Sequence, residues 1–116
     1  MSSMEAWLPC KLHIRARGGK VRRAYAVLHD AFGVLEPRWH VVLLIKHPNG
    51  TVFQVPGKVT RRLSRGYAEV YIPVDAGISL AAQMGVKTEK STTIYGYAAQ
   101  VKTSSRLPRN PIFFPI

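Results

Sequence analysis

Polar and apolar positions alternate along this chain in short runs of period two, and glycine or proline punctuates most of them. From Cys10 to Ala16, Lys11, His13 and Arg15 alternate with Leu12, Ile14 and Ala16, the pattern of a half-buried strand. Arg17-Gly18-Gly19-Lys20 reads as a turn, and it lacks the Gly-Lys-Ser/Thr ending of a phosphate-binding loop. Val21 to Gly33 admits two readings. Val21, Ala24, Leu28, Ala31 and Phe32 fall at helical spacing with Gly33 at the C′ position, yet Lys20 to Leu28 can equally be a strand followed by a helical turn. Trp39 to Ile45 is apolar on both faces, which predicts a central strand covered on both sides. His47-Pro48-Asn49-Gly50 predicts a hairpin, Thr51 to Val55 returns, and Pro56-Gly57 is expected to break the pairing before Lys58.

The second half runs through a similar order. Val59, Arg61 and Leu63 alternate with Thr60, Arg62 and Ser64, which predicts a strand with one wet face. Arg65-Gly66 supplies the turn, because glycine accepts positive φ without a Cβ clash. Tyr67 to Ile72 is a strand with Ala68, Val70 and Ile72 on one face, ended by Pro73. A short helix follows, with Asp75 expected as its cap, Leu80 and Met84 one turn apart, and Gly85 at C′. Ser91 to Thr103 is a long β run that places Tyr95, Tyr97, Ala99 and Val101 on one face. The end of the chain carries Pro108, Pro111 and Pro115 and cannot be regular.

Sliding the chain by 47 positions pairs Lys11 with Lys58, Arg15 with Arg62, Gly19 with Gly66 and Val27 with Val74, and after a gap of five residues Gly33-Val34 meets Gly85-Val86. An internal repeat is the expectation; an unrelated N-terminal half is the competing reading. The predicted organisation is a flexible lead at 1–9, a single domain at 10–103 built of half-repeats 10–56 and 57–103, and an apolar, proline-containing tail at 104–116.

Lys58-Val59-Thr60, Arg65-Gly66, Val70, Ile72-Pro73 and Met84-Gly85-Val86 follow the order of a basic strand, a Gly turn, a strand ending in Ile-Pro, a short helix and an apolar-Gly-apolar step. In this the chain resembles the AbrB/MazE/SpoVT swapped-hairpin family of DNA-binding transition-state regulators and antitoxins. Its Pro73–Gly85 segment is several residues longer than in that family, and Lys87-Thr88-Glu89-Lys90 stands in place of the family's Gly-Asp turn. The resemblance implies a mainly β fold with one or two short helices: a small swapped-hairpin barrel closed by a pseudo-two-fold tandem repeat. Such a chain would be a monomer of fused repeats or a homodimer.

Composition narrows the function. Of 116 residues, 17 are Lys or Arg and 6 are Asp or Glu, a net charge of +11 that favours an anionic partner. The single cysteine, Cys10, excludes an intrachain disulfide and a Cys-based zinc site. No apolar run approaches membrane-spanning length and no secretory pattern opens the chain, so a cytoplasmic location is expected. Glu5, Asp30, Glu36, Glu69, Asp75 and Glu89 are scattered, and His13, His29, His40 and His47 show no ligand spacing. Neither catalysis, a metal nor a cofactor is predicted.

The basic residues are better organised. Lys11, Arg15, Arg17, Lys20, Arg22 and Arg23 form one cluster with no acidic residue between Ala6 and His29, and Lys58, Arg61, Arg62 and Arg65 form another. Arginine forks suit phosphate oxygens and the guanine edge. Two equivalent hairpins presenting one basic face would bind nucleic acid through Arg15, Arg17, Lys20, Arg22, Arg23, Lys58, Arg61, Arg62 and Arg65. Duplex DNA and a role in transcription regulation are what the resemblance implies. RNA, in a ribosome-associated protein, is equally apt for the charge. The other alternative is an antitoxin-like or scaffold module that holds a partner protein through Ile112, Phe113 and Phe114.

Overall fold

The computed structural model describes residues 6–103. Six antiparallel strands form a closed barrel: β1 (Leu8–Arg17), β2 (Lys20–His29), β3 (His40–Lys46), β4 (Val52–Arg62), β5 (Tyr67–Ile72) and β6 (Thr92–Thr103). Their order around the wall is β1-β2-β5-β4-β3-β6, with β6 closing onto β1. Closure gives each described strand a neighbour on both sides over part of its length. One helix, α1 (Val74–Met84), lies between β5 and β6. Exchanging β1 with β4, β2 with β5 and β3 with β6 maps this neighbour order onto itself.

Alternation in the sequence becomes the inside and outside of the wall. Leu12 and Ile14 of β1, Ala24, Ala26 and Leu28 of β2, Val41, Leu43 and Ile45 of β3, and Ala68, Val70 and Ile72 of β5 fill the interior. Leu80 and Ala81 of α1 join that core and cover one end. Gly77 makes the approach possible: a Cβ there would lie 2.7 Å from the Ala24 Cβ. The opposite end is covered by Leu35, fully buried in the β2–β3 connection.

Of the two readings open for Lys20 to Leu28 the strand holds, and it runs on to His29. Several other expectations change. β4 runs unbroken through Pro56-Gly57, with Pro56 opposite Val42 and Gly57 opposite Val41. Proline is tolerated because the β4–β5 ladder begins at Lys58↔Tyr71, beyond it. Gly57 is needed because a Cβ would sit 2.8 Å from Val70 Cγ1. β3 buries one face in the core, while Val42 and Leu44 on the other are half-buried, so it is a barrel wall and not a doubly covered strand. Leu8 and Pro9, expected in the lead, open β1. Asp75 lies in the first turn of α1 and makes no side-chain cap; Pro73 holds the N-cap position. Gly85, in the left-handed region at φ 72°, ends the helix as expected. Tyr95 is 68% exposed while Tyr97, Ala99 and Val101 face the core. Gly96 adopts φ 86°, and the β1–β6 register shifts between Cys10 and Leu12, so a bulge turns Tyr95 to the outside.

The expectation for Ile112, Phe113 and Phe114 falls outside the described residues. No helix among those residues is long and apolar enough to cross a membrane.

Candidate nucleic-acid interface

Two turns carry part of the predicted site. Gly18 and Gly19, at φ 60° and 80°, close β1 onto β2, the positive-φ pair that a two-residue hairpin demands. Arg17 and Lys20 flank them, and Arg22 lies in β2 without a β1 partner, at a register shift between Arg15 and Ala16. All three are exposed. The second turn is a short 3-10 segment, Ser64–Gly66, with Arg65 at φ 63°. Its Gly66 carbonyl accepts a 2.8 Å hydrogen bond from the Asp30 N–H, just past the end of β2.

The turns therefore sit at opposite ends of the barrel. β2 begins at the first turn and finishes beside the second. β2 and β5 pair antiparallel, so the turns from which they start point in opposite directions. This corrects the expectation that both hairpin tips share a side.

Arg62 is also not where the alternation put it. The β4–β5 register shifts between Val59 and Arg61, so Thr60 is bulged, Arg61 faces out opposite Glu69, and Arg62 turns in opposite Ala68. Its Nη1 donates to Asp30 Oδ2 at 2.7 Å and to the Leu35 carbonyl at 3.2 Å; its Nη2 donates to the Asp30 carbonyl at 2.9 Å. Asp30 in turn accepts from the Val34 and Leu35 N–H groups. Asp30 is 1% exposed, so this is an internal clamp that leaves Arg62 no free fork for a ligand.

The strands between the turns bring the remaining candidates together. On the outer face, Arg15 stands opposite Arg23, His13 opposite Tyr25, Tyr25 opposite Tyr71, and Tyr71 opposite Lys58. Tyr25 organises this face. His13 stacks on it with centroids 4.7 Å apart and planes 14° apart. The Arg23 guanidinium lies 4.6 Å over its ring, and Arg15 Nη2 donates to its hydroxyl at 3.2 Å. Such contacts hold guanidinium planes in place while leaving donors free. Arg23 and Arg61 converge on Glu69, at 3.8 and 3.3 Å, with side chains 52% and 65% exposed. The Thr60 hydroxyl donates to the same carboxylate at 2.8 Å. One buried acid thus fixes two solvent-facing cations and neutralises only one of them.

No motif marks His13, Tyr71 or Glu69 in the sequence; only strand pairing brings them to this face. Burial, with the positive charges of Arg15 and Lys11 behind it and Glu69 in opposition, holds the His13 pKa below the ordinary 6.5. Cys10 is buried and its thiol pKa is pushed up to about 12 by that burial, which keeps it protonated and unreactive. No group of three or more potential metal ligands occurs among the described residues.

No family model, no curated protein and no solved structure matches the chain.

Proposed function

We propose that this chain binds nucleic acid through the outer face of β1, β2, β5 and β4. The observation that carries the reading is the composition of that face. Lys11, Arg15, Arg23, Lys58 and Arg61 interleave with Tyr25 and Tyr71, and Glu69 is the one carboxylate on those four strands. Polyanion binding needs clustered cations with little internal compensation. Interleaved rings suit base stacking.

The test is affinity against salt. Log affinity should fall with log salt at a slope between about −3 and −5, as expected for five cations meeting phosphates. The double variant Arg15→Gln, Lys58→Gln spares the Glu69 cluster; it should weaken binding and flatten the slope by about two. Binding indifferent to salt, or unaltered in that variant, would remove this face from the interface.

A second reading is favoured by the neighbour order that survives exchange of the two halves: two fused swapped-hairpin halves acting on duplex DNA as a regulator. That reading loads the turns, so Arg17→Gln with Arg65→Gln would then weaken duplex binding more than the sheet-face variant does.

A further inference from the structure

The outer face continues past Lys11 into a groove of about 460 Å³ at the seam between β1 and β6. Trp7, Lys11, Val27, Tyr67, Gly96 and Tyr97 are among its lining. It opens where the Gly96 bulge shifts the β1–β6 register, so Lys11 has no partner on β6. A bulge of this kind locally parts the ladder. The cations at the groove are set against rings. Lys11 Nζ lies 5.7 Å from the Tyr67 centroid and 5.9 Å from that of Tyr95, and Lys46 Nζ lies 4.3 Å from that of Trp7. Among the described residues no carboxylate lines the groove.

We infer that this groove takes an unpaired base of a single-stranded nucleic acid, whose neighbouring phosphates run onto the sheet face. The inference rests on the nucleic-acid reading above and names the substrate class. A flat ligand with a π face and an attached anion fits rings held beside ammonium groups. The volume falls within the range of ordinary ligand clefts, about 300–1,000 Å³. A paired duplex can offer a base to such a groove only by unstacking it, at a cost of a few kcal/mol. Single strands carry no such cost, so the groove should discriminate between them. RNA and DNA present the same ring and phosphate, and the assay's arms separate them.

The 116-residue chain carries two tryptophans, and Trp39→Phe leaves Trp7 as the sole reporter. Oligouridylate, oligothymidylate and a mixed-sequence duplex are titrated at one salt concentration. Saturable quenching of Trp7 by either single strand, but not by the duplex, supports the inference. Tyr95→Ala removes an exposed ring that stands outside the lining, next to Gly96 and with its centroid 5.9 Å from Lys11 Nζ; it should weaken single-strand binding about tenfold, the loss of one base–aromatic stack at the groove mouth. It should leave duplex affinity and the salt slope unchanged, because no charge is removed. Trp7→Ala with Trp39 retained, followed by anisotropy of labelled oligonucleotide, repeats the measurement without reliance on the Trp39 substitution. Equal binding of single strand and duplex, unmoved by Tyr95→Ala and Trp7→Ala, overturns the groove and leaves the sheet face standing. Binding of neither overturns both. Saturation of Trp7 by a peptide of residues 107–116, with no response to oligonucleotide, assigns the groove to the chain's own tail and overturns the proposal.

Discussion

His13 shows how one residue's surroundings set a pH dependence. It stacks on Tyr25, meets the Thr93 hydroxyl at 3.1 Å, and shares its strand face with Lys11 and Arg15. Its pKa in the folded chain lies below 6.5, chiefly through burial and then through those two cations, against the pull of Glu69. In the unfolded chain the ring takes up a proton near pH 6.5, while the folded ring stays neutral to a lower pH. The unfolded state therefore binds more protons in that window, and stability rises with pH across it. Urea midpoints should fall as pH drops below about 6.5, and His13→Gln should reduce that fall. A parallel decline in both proteins would place the titration elsewhere. Arg62 makes the opposite point about reading single residues. Its type and its neighbours marked it as a ligand for phosphate, but the Asp30 carboxylate, 32 residues away, had already claimed it. The bulge that turns it inward leaves no mark in the alternation.

At the scale of elements, alternation found the strands and glycine found the turns. Cys10–Ala16, Tyr67–Ile72 and the Asn49-Gly50 turn lie where the pattern put them. Three register shifts were not legible, because a bulge is set by pairing across the ladder: with the hairpin neighbour for β1–β2 and β4–β5, and with a strand distant in sequence for β1–β6. They decide where Arg22, Tyr95 and Arg61 face, and so most of the outer surface. The contact of α1 with β2 was equally hidden. Gly77 looks like a weak point in a helix, since glycine costs about 1 kcal/mol there relative to alanine. Its role appears only when Ala24 is placed 2.7 Å from the missing Cβ. Gly77→Ala should therefore destabilise the fold by about 1 kcal/mol net, as overpacking of about 1–3 kcal/mol exceeds the gain in helix propensity. Denaturant unfolding measures it. Made in an Ala24→Gly background, the same change should be neutral or stabilising; destabilisation there as well would refute the contact.

The whole molecule depends on a seam between the two ends of the described chain. β1 meets β6 through Leu8↔Ala99 and Cys10↔Tyr97, and β6 also flanks β3. Removing residues 92–116 would leave both β1 and β3 with an unpaired edge and open the core. Exposed edges of that kind pair with other chains. Such a truncation should elute as aggregate by size-exclusion chromatography and bind a hydrophobic dye; a compact monomer with unchanged circular dichroism would refute the closure.

The antiparallel contact of β2 with β5 also gives the molecule a built-in length scale. From Lys20 at one turn to His29 beside the other, β2 advances nine residues, about 30 Å at ~3.3 Å each. Duplex DNA rises ~3.4 Å per base pair. A rod of fewer than about nine base pairs is too short to reach from one arginine-bearing tip to the other, so a fragment-length series reads the molecule as a ruler: duplex contacts made by the tips switch on at that length, and contacts made by the sheet face do not.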